Sequence, residues 1–346
     1  MKITAAVLER CGQPLHLLDL EIPKLQRGQV LVKIAYSAIC RSQLMEINGS
    51  RGHDKWLPHL LGHEASGVVV ASGPEVTKVR ENDEVILTWI RSSGIESSTP
   101  KYLYNGRTVH AGPVTTFSNY SIVSENRVVM KPQGLDMDIA VLFGCALATG
   151  SGMALNEIHP NLDDTILVLG LGGVGMGALL TLVASGKKNV FAVDRDDAKC
   201  ALAKSFGVEA LNFTEKNDLL NSLKKMVPEG FDYCIEAGGS ADTIELGFAT
   251  LKTNSGTLLF ASHPPNNDRI SLAPHELISG KKIRGSWGGA IAPDSDIPKL
   301  AHLLKETNTS IEKLIENQFS LEQINDAVDL FAKGSIFRPI LVMDHP

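Results

Sequence analysis

The sequence predicts an α/β protein that combines a doubly wound parallel sheet with a β-rich region. Between about residues 149 and 285, strand-like and helix-like segments alternate, which is the pattern of parallel strands joined by right-handed crossovers. Before about residue 131, short β-branched runs follow one another with turn residues between them. A chain of 346 residues is long enough to fill two cores. We therefore expect two domains of different architecture.

The β-rich region runs from Met1 to about Lys131 and includes the run QVLVKIA at Gln29–Ala35, which has the apolar and β-branched content of a strand. Turn residues such as Gly73-Pro74 and Gly112-Pro113 separate the later runs. The stretch Arg91–Gly112 is predicted to be one long, polar, irregular loop. The further predicted strands are Ala65–Ala71, Asp83–Thr88, Tyr120–Val123 and Val128–Met130.

The second half of the chain carries the alternating pattern, and a mixed tail follows it. Apolar runs of four to six residues are typical of strands buried on both faces of a parallel sheet. The predicted strands are Ile166–Leu169, Val190–Val193, Phe231–Glu236, Thr257–Ser262 and, in the tail, Pro339–Met343. The predicted helices are Gly175–Ser185, Asp197–Phe206, Asp296–Lys305 and Leu321–Lys333.

Composition and charge favour a soluble globular protein with a small-molecule ligand. The formal net charge is −6, and no block of like charges indicates a nucleic-acid partner or a membrane surface. Thr165–Gly186 is uncharged and as long as a membrane span, but its glycines predict a strand, a turn and a helix. The N-terminus lacks a signal-like apolar run, and five cysteines are too few and odd for a disulfide framework, so we expect a cytoplasmic protein.

A glycine-rich motif, G-x-G-x-x-G, lies between the first predicted strand and helix of the alternating region. Gly170 permits a tight turn, Gly172 lets the backbone approach a pyrophosphate, and Gly175 lets the helix lie close to the sheet. The N-terminus of the predicted helix, with Gly173 and Val174 just before it, would offer free N–H groups and a partial positive charge to the phosphates. Alone the motif is weak in a glycine-rich chain, and its glycines could serve packing only. In this context it predicts a dinucleotide-binding Rossmann sheet.

An acidic residue closes the next predicted strand. Asp194 follows the motif at the distance of about 20 residues that one helix and one strand require. Its carboxylate can accept hydrogen bonds from both ribose hydroxyls of NAD and would repel the 2′-phosphate of NADP, so NAD is the preferred cofactor. Arg195, next in the chain, could accommodate a phosphate and keeps NADP open as the alternative.

Three residues with metal-ligand chemistry lie outside the glycine motif. They are Cys40, His63 and Cys145, and the long gaps between them would never connect them by spacing alone. Taken singly, each cysteine could be a small buried hydrophobic residue and the histidine a hydrogen-bonded structural one. Together, two thiolates and one imidazole leave the fourth tetrahedral position open, as a catalytic zinc requires.

At these residues the chain resembles the zinc-containing medium-chain alcohol dehydrogenases. The ligand set and the glycine motif stand in the family's order, and the resemblance runs from the first strands to Ile336–Val342. Within the family, the segments Val114–Val129 and Ser286–Lys299 are most similar to the classical and glutathione-dependent formaldehyde dehydrogenase branch. The resemblance implies a GroES-like catalytic domain at 1–147, a Rossmann domain at 148–287 and a C-terminal segment, 288–346, that returns to the catalytic domain.

The resemblance also implies roles for individual residues around the substrate. Ser42 would accept the proton of the substrate hydroxyl, although by itself it could be a helix N-cap. Glu64 would lie behind the zinc and transiently replace a ligand, although by itself it could be a solvated loop acid.

Cofactor contacts are implied in the same way. Arg41 and Arg338 would contact the pyrophosphate, and Thr149 would pack against the nicotinamide ring. Lys199 would support the adenosine ribose alongside Asp194.

The chain departs from the family pattern at three places. Gln43 stands where a carboxylate usually orients the ligand histidine, and Met45 replaces the relay histidine of some relatives. Arg91–Gly112 has no cysteine, whereas many relatives carry four there for a structural zinc. We therefore expect one catalytic zinc and no structural zinc per chain, in a homo-oligomer that could be a dimer or a tetramer.

The resulting prediction is a zinc-dependent oxidoreductase that transfers hydride between an alcohol, or its aldehyde or ketone, and NAD. Two alternatives stay open. A zinc-free NAD(P)H-dependent enone or quinone reductase would share the fold but usually lacks the three ligands. A nucleotide-binding relative without catalysis would bind NADH and turn nothing over.

Overall fold

The computed structural model of the chain describes residues 2–212, 216–315 and 317–345. Contacts divide the chain into two compact units. The first unit comprises Met1–Cys145, Ala292–Ala301 and Ser310–Pro346, and the second comprises Ala146–Ile291 and His302–Thr309. Each unit has its own fold and its own hydrophobic core.

The described strands include every strand that the sequence predicts, with ends that differ by at most three residues. In chain order they are β1 Lys2–Leu8, β2 His16–Glu21, β3 Gln29–Ala38, β4 His59–Leu60, β5 Glu64–Ser72, β6 Glu84–Thr88, β7 Lys101–Tyr104, β8 Arg107–His110, β9 Tyr120–Ser124, β10 Val128–Met130, β11 Thr165–Leu169, β12 Asn189–Asp194, β13 Glu209–Asn212, β14 Tyr233–Glu236, β15 Thr257–Phe260, β16 Lys282–Gly285, β17 Gln318–Ser320 and β18 Ile340–Val342.

The described α-helices are between 4 and 14 residues long. They are α1 Arg41–Ile47, α2 Met137–Ala140, α3 Ala146–Gly152, α4 Gly173–Ala184, α5 Asp197–Ser205, α6 Lys216–Met226, α7 Ala241–Ala249, α8 Pro274–Ile278, α9 Pro293–Glu306 and α10 Ile324–Ala332. The predicted helix over Leu321–Lys333 is a 3-10 turn, Leu321–Gln323, followed by α10.

The first unit is β-rich, as the sequence predicts. Strands β1, β2, β7, β8 and β4 form a closed barrel, and a second sheet has the order β10-β6-β5-β3-β18-β17, with β9 also paired to β3. Strand β3 is central because it pairs with β5, β9 and β18. Inward-facing residues such as Val32, Ile34, Val69 and Leu87 are completely or almost completely buried in its core.

The prediction of an irregular loop at Arg91–Gly112 is wrong. Strands β7 and β8 form a hairpin inside it, in which Tyr102 pairs with Val109 and both side chains are buried. Asn105 and Gly106 connect the strands with φ angles of 48° and 77°, the left-handed pair that a tight hairpin turn requires. The sequence signal for this hairpin is the Asn105-Gly106 pair, which the polar residues around it conceal.

The second unit contains the predicted doubly wound sheet. Its six strands have the order β13-β12-β11-β14-β15-β16, and all neighbouring pairs are parallel. The chain runs outward from β11 to one edge and then crosses to β14 to build the other half. The β11–β14 junction is the topological switch point, where ligands bind beyond the carboxyl ends of such strands.

The described residues include helices that are apolar along much of their length. No single helix among them is long and apolar enough to cross a bilayer, although the bent pair 137–144 and 146–158 meets the length and composition criteria jointly. The uncharged stretch Thr165–Gly186 forms β11 and α4, the strand and helix that its glycines predict.

Candidate active site

The side chains of Cys40, His63, Glu64 and Cys145 form one cluster in the first unit. Their potential ligand atoms all lie within 4.8 Å of one another, and it is the one such cluster found among the described residues. Atoms bound to a single zinc at 2.0–2.3 Å must lie less than about 5 Å apart. The cluster is therefore compact enough for one ion.

Strand pairing explains why residues far apart in sequence converge. Near the end of β3, Ser37 pairs with Ala65 of β5, which places the loop after β3 beside the start of β5. Cys40 lies in that loop, just before α1, and His63 directly precedes β5. These two ligands meet because two antiparallel strands fix their separation.

A glycine brings the third ligand in. A Cβ atom on Gly144 would lie 2.4 Å from the Leu87 carbonyl oxygen and 2.7 Å from the Cβ of Glu64, so only glycine allows this approach. Cys145 follows it and is 6% exposed. Gly62, before His63, has a φ of 86°, and a Cβ there would meet the Thr116 hydroxyl at 2.3 Å. Both glycines shape the backbone at the cluster.

Gln43 links two of the cluster residues. Its Oε1 accepts a hydrogen bond from the backbone N–H of Cys40 at 2.9 Å, and its Nε2 contacts Nδ1 of His63. The other imidazole nitrogen, His63 Nε2, is buried and has no hydrogen-bond partner among the described residues. A buried imidazole nitrogen without a partner is costly unless it binds something. A metal ion bound to this nitrogen would satisfy it.

Glu64 and Arg338 form a buried ion pair beside the cluster. Nη2 of Arg338 lies 2.7 Å from Oε1 and 2.6 Å from Oε2 of Glu64. Burial raises the pKa of Glu64 to about 7, against the opposing charge of Arg338. The contact that the structure assigns to Arg338 is thus with Glu64, and its predicted pyrophosphate contact stays a prediction.

The thiols and the imidazole perturb one another. A hydrogen bond from Cys145 holds the pKa of Cys40 well below its usual value, and His63 adds to this against the effect of burial. The same contact, together with burial, raises the pKa of Cys145. Burial alone would lower the pKa of His63, but its contact with the Cys40 side chain and the Cys40 charge raise it. The cluster therefore favours a thiolate at Cys40, the form that binds metals.

Trp89 is a cluster contact that the sequence analysis did not assign to the site. Its indole N–H donates a hydrogen bond to Sγ of Cys145 at 3.1 Å. Trp89 directly follows β6, and the pairing of Thr88 with Glu64 places it beside the ligands. Nothing in the spacing of the chain could have revealed this contact.

The remaining predicted residues of the first unit lie at α1. Ser42 is in its first turn, and its hydroxyl is buried without a hydrogen-bond partner among the residues described. Arg41 is exposed at the start of the same helix. Ser42 thus has a free hydroxyl two positions after a candidate ligand.

The glycine motif of the second unit has the geometry predicted from its sequence. Gly170 has a φ of 92°, and a Cβ on Gly175 would lie 1.8 Å from the Gly170 carbonyl oxygen. Gly172, by contrast, would place a Cβ in open space, with nothing within 4 Å. Helix α4 begins with Gly173 and Val174 and has no side-chain cap at Gly172. The uncapped N–H groups therefore face a surface that is open to a ligand.

Asp194 ends β12 beside this loop. Its Oδ2 accepts a hydrogen bond from the Leu171 N–H at 2.6 Å, and its Oδ1 accepts one from the Asp196 N–H at 3.0 Å. The ammonium group of Lys199 lies 3.5 Å from Asp196, and Arg195 is exposed. Asp194 thus braces the glycine loop, a contact that the sequence analysis did not predict.

Thr149 lies in α3 of the second unit. It is 5% exposed, and its hydroxyl has no hydrogen-bond partner among the described residues. Its predicted packing against nicotinamide stays a prediction.

Comparison with known proteins agrees with both units. The family model described as alcohol dehydrogenase GroES-like domain matches residues 26–133, and the one described as zinc-binding dehydrogenase matches residues 173–306. Together the two matches cover well over half of the chain.

Whole-chain relatives have the same organisation. Rabbit (Oryctolagus cuniculus) alcohol dehydrogenase class-2 isozyme 2 is 27% identical over 99% of this chain and 98% of that protein. The crystal structure of an alcohol dehydrogenase zinc-binding domain protein from Burkholderia ambifaria has a TM-score of 0.90 at 24% identity and covers 100% of both chains. Benzyl alcohol dehydrogenase from Acinetobacter calcoaceticus has a TM-score of 0.89 at 24% identity, over 99% of this chain and 100% of that one. The chain belongs to the zinc-type, medium-chain alcohol dehydrogenase-like family of oxidoreductases.

Proposed function

We propose that this protein interconverts an alcohol and its aldehyde or ketone by using one zinc ion and NAD. The observation that carries the proposal is the convergence of Cys40, His63 and Cys145 in a cluster with an unpartnered imidazole nitrogen. The names of the rabbit and Acinetobacter relatives support simple alcohols, with benzyl alcohol among them, as first substrates to test.

Cys40, His63 and Cys145 would hold the zinc through two sulfurs and the Nε2 atom of the imidazole. Three protein ligands leave one tetrahedral position for the substrate oxygen. When bound, the zinc supplies Lewis-acid polarisation of that oxygen. Glu64 stays behind the ligand set, where Arg338 holds its carboxylate.

Ser42 is the proposed proton acceptor. Its hydroxyl is buried and unpartnered among the described residues, so it is available to hydrogen-bond a substrate hydroxyl. Met45, one turn later in α1, has no group that can take up a proton, so the proton passes from Ser42 to a group other than residue 45. A bound nicotinamide supplies the hydride acceptor.

The glycine loop and Asp194 are the proposed dinucleotide site. Gly170, Gly172, Gly173, Val174 and Gly175 would cradle the pyrophosphate on backbone N–H groups at the start of α4. Asp194 is well placed to select NAD, because the Leu171 and Asp196 N–H groups hold a carboxylate that would repel a 2′-phosphate. Arg41, Thr149, Lys199 and Arg338 remain proposed cofactor contacts.

One zinc per chain is the proposed stoichiometry. The segment 91–112, where many relatives bind a second zinc, contains no cysteine and is occupied by the β7–β8 hairpin. Elemental analysis of the purified protein should give about one zinc per chain.

The test combines metal removal with substitution of one ligand. We expect zinc-loaded protein to reduce NAD with a primary or benzylic alcohol, chelated protein to lose this activity, and added zinc to restore it. Cys40→Ser should lose both metal and activity, whereas Cys11→Ser, the same change at a cysteine outside the cluster, should keep both. Full alcohol oxidation by metal-free Cys40→Ser would refute the proposal.

The same preparations separate the alternatives. A zinc-free enone reductase would reduce a conjugated ketone with NADPH after chelation, and a non-catalytic relative would bind NADH with no turnover. The buried ligand cluster favours the zinc enzyme over both.

A further inference from the structure

Trp89 approaches the ligand cluster from the end of β6. Its indole N–H lies 3.1 Å from Sγ of Cys145 and donates a hydrogen bond to it. The backbone is fixed on both sides of Trp89: Thr88 pairs with Glu64 in the sheet, and the Thr88 hydroxyl accepts a hydrogen bond from the Ile90 N–H at 3.1 Å. The ring itself packs, partly buried, against the hydrophobic core of the first unit. The hydrogen bond is therefore held by the fold.

The contact makes the two sulfurs unequal. Cys145 is 6% exposed, so little water competes with the indole for its sulfur. The sulfur of Cys40 lies against Cys145 and His63 instead. An indole N–H is a donor and never an acceptor, so this bond always draws electron density away from the Cys145 sulfur.

We propose that Trp89 tunes the metal of this site through its hydrogen bond to the Cys145 thiolate. The inference rests on the proposed function, because it requires a metal at these sulfurs. A thiolate that shares its charge with an N–H donor donates less to the metal. The ion is then a stronger Lewis acid toward the substrate oxygen, and the Cys145 side chain is held in one rotamer. Trp89 is a positioning residue that acts through the ligand.

Cobalt substitution tests the electronic part of the proposal. Cobalt bound to thiolates gives sulfur-to-metal charge-transfer absorption, whose energy falls when the sulfur lone pairs are no longer stabilised. In Trp89→Phe, which keeps an aromatic ring and removes the N–H, we expect this band to move to longer wavelength. Trp56→Phe, the same change at a 57% exposed indole, should leave it unmoved.

The outcomes separate this inference from the proposed function. A charge-transfer band that is present in the wild type and unchanged in Trp89→Phe would overturn the role of Trp89 and leave the zinc site standing. A wild-type protein that gives no such band with cobalt would overturn both.

A second measurement needs no change at position 89. The chain has three tryptophans, and Trp56 and Trp287 are 57% and 73% exposed. With 15N-labelled indoles, we expect a slowly exchanging N–H resonance that survives in both Trp56→Phe and Trp287→Phe and that shifts when zinc is added. Three resonances that exchange equally fast, or a slow one that ignores zinc, would contradict the hydrogen bond.

Discussion

Glu64 and Arg338 are joined by a single guanidinium nitrogen that contacts both carboxylate oxygens, at 2.7 and 2.6 Å. Glu64 is completely buried and Arg338 is 4% exposed. The two residues are remote in sequence, and strands β5 and β18 bring them together from either side of β3. The pair lies directly beside the candidate ligands, and its removal has calculable consequences.

Replacement of Arg338 by Met should destabilise the protein. Breaking a buried ion pair by removing one partner typically costs about 3–5 kcal/mol, because the other charge stays buried without compensation. The double variant Glu64→Gln with Arg338→Met should recover part of the loss. Urea unfolding at pH 8 measures both, and equal free energies of unfolding for wild type and Arg338→Met would contradict the importance of the pair.

The pH dependence of stability should carry the signature of Glu64. Burial raises the pKa of Glu64 in the folded, metal-free protein to about 7, whereas an unfolded glutamate titrates near about 4.3. Between these values the folded state binds more protons than the unfolded state, so stability from this group is complete below pH 4 and is lost as pH rises through 7. The loss is on the order of 3 kcal/mol.

Glu64→Gln should remove that slope. Glu312→Gln, an exposed glutamate, serves as the control and should keep it. The unfolding free energies of the metal-free proteins at pH 5 and pH 8 provide the comparison, and a slope that persists in Glu64→Gln would assign it to another group.

Gln43 should limit zinc affinity. Its Oε1 already accepts the Cys40 N–H, so its NH₂ group faces Nδ1 of His63. When Nε2 binds zinc, Nδ1 carries the proton, and two donors then meet. Gln43→Glu replaces one donor with an acceptor and should tighten zinc binding by about 10–100-fold, whereas Gln43→Ala, which removes the opposed donor without adding an acceptor, should change it less. Chelator competition measures both, with the exposed Gln133→Glu as control. Weaker zinc binding by Gln43→Glu would count against this account of the amide.

Two glycines of the same loop should respond differently to alanine. A methyl group on Gly172 meets nothing within 4 Å, so Gly172→Ala should fold with nearly unchanged stability but bind NADH more weakly. A methyl group on Gly175 would lie 1.8 Å from the Gly170 carbonyl oxygen, so Gly175→Ala should lose several kcal/mol of stability. Thermal unfolding and NADH titration check the pair. Unchanged NADH affinity in Gly172→Ala would contradict the proposed pyrophosphate site.

The sequence was most informative where local chemistry decides the structure. Alternating strands and helices predicted the parallel sheet, and the glycine motif predicted the turn at Gly170 and the close packing at Gly175. Strand order could not be predicted, because β11 pairs with β14, about 65 residues later, through contacts that no local pattern encodes. The β7–β8 hairpin has a sequence signal in Asn105-Gly106, but the surrounding polar residues resemble an irregular loop.

The candidate site required more than local pattern. The spacing of Cys40, His63 and Cys145 carries no signal, so these residues were predicted from a family resemblance. The fold explains why they meet: β3 pairs with β5, and the chain approaches closely at Gly144. The hydrogen bond from the Cys40 N–H to Gln43 and the one from the Trp89 indole to Cys145 depend on the directions of the Gln43 and Trp89 side chains. Such side-chain directions follow from packing, and no short segment of sequence predicts them.

X-ray absorption at the zinc edge tests the central claim most directly. For protein purified with its metal, the account predicts two sulfurs at about 2.3 Å and two nitrogen or oxygen atoms at about 2.0–2.2 Å, and no zinc bound in this way in Cys40→Ser. A shell of four sulfurs, a shell without sulfur, or a spectrum unchanged in Cys40→Ser would show that the zinc is not held by Cys40, His63 and Cys145.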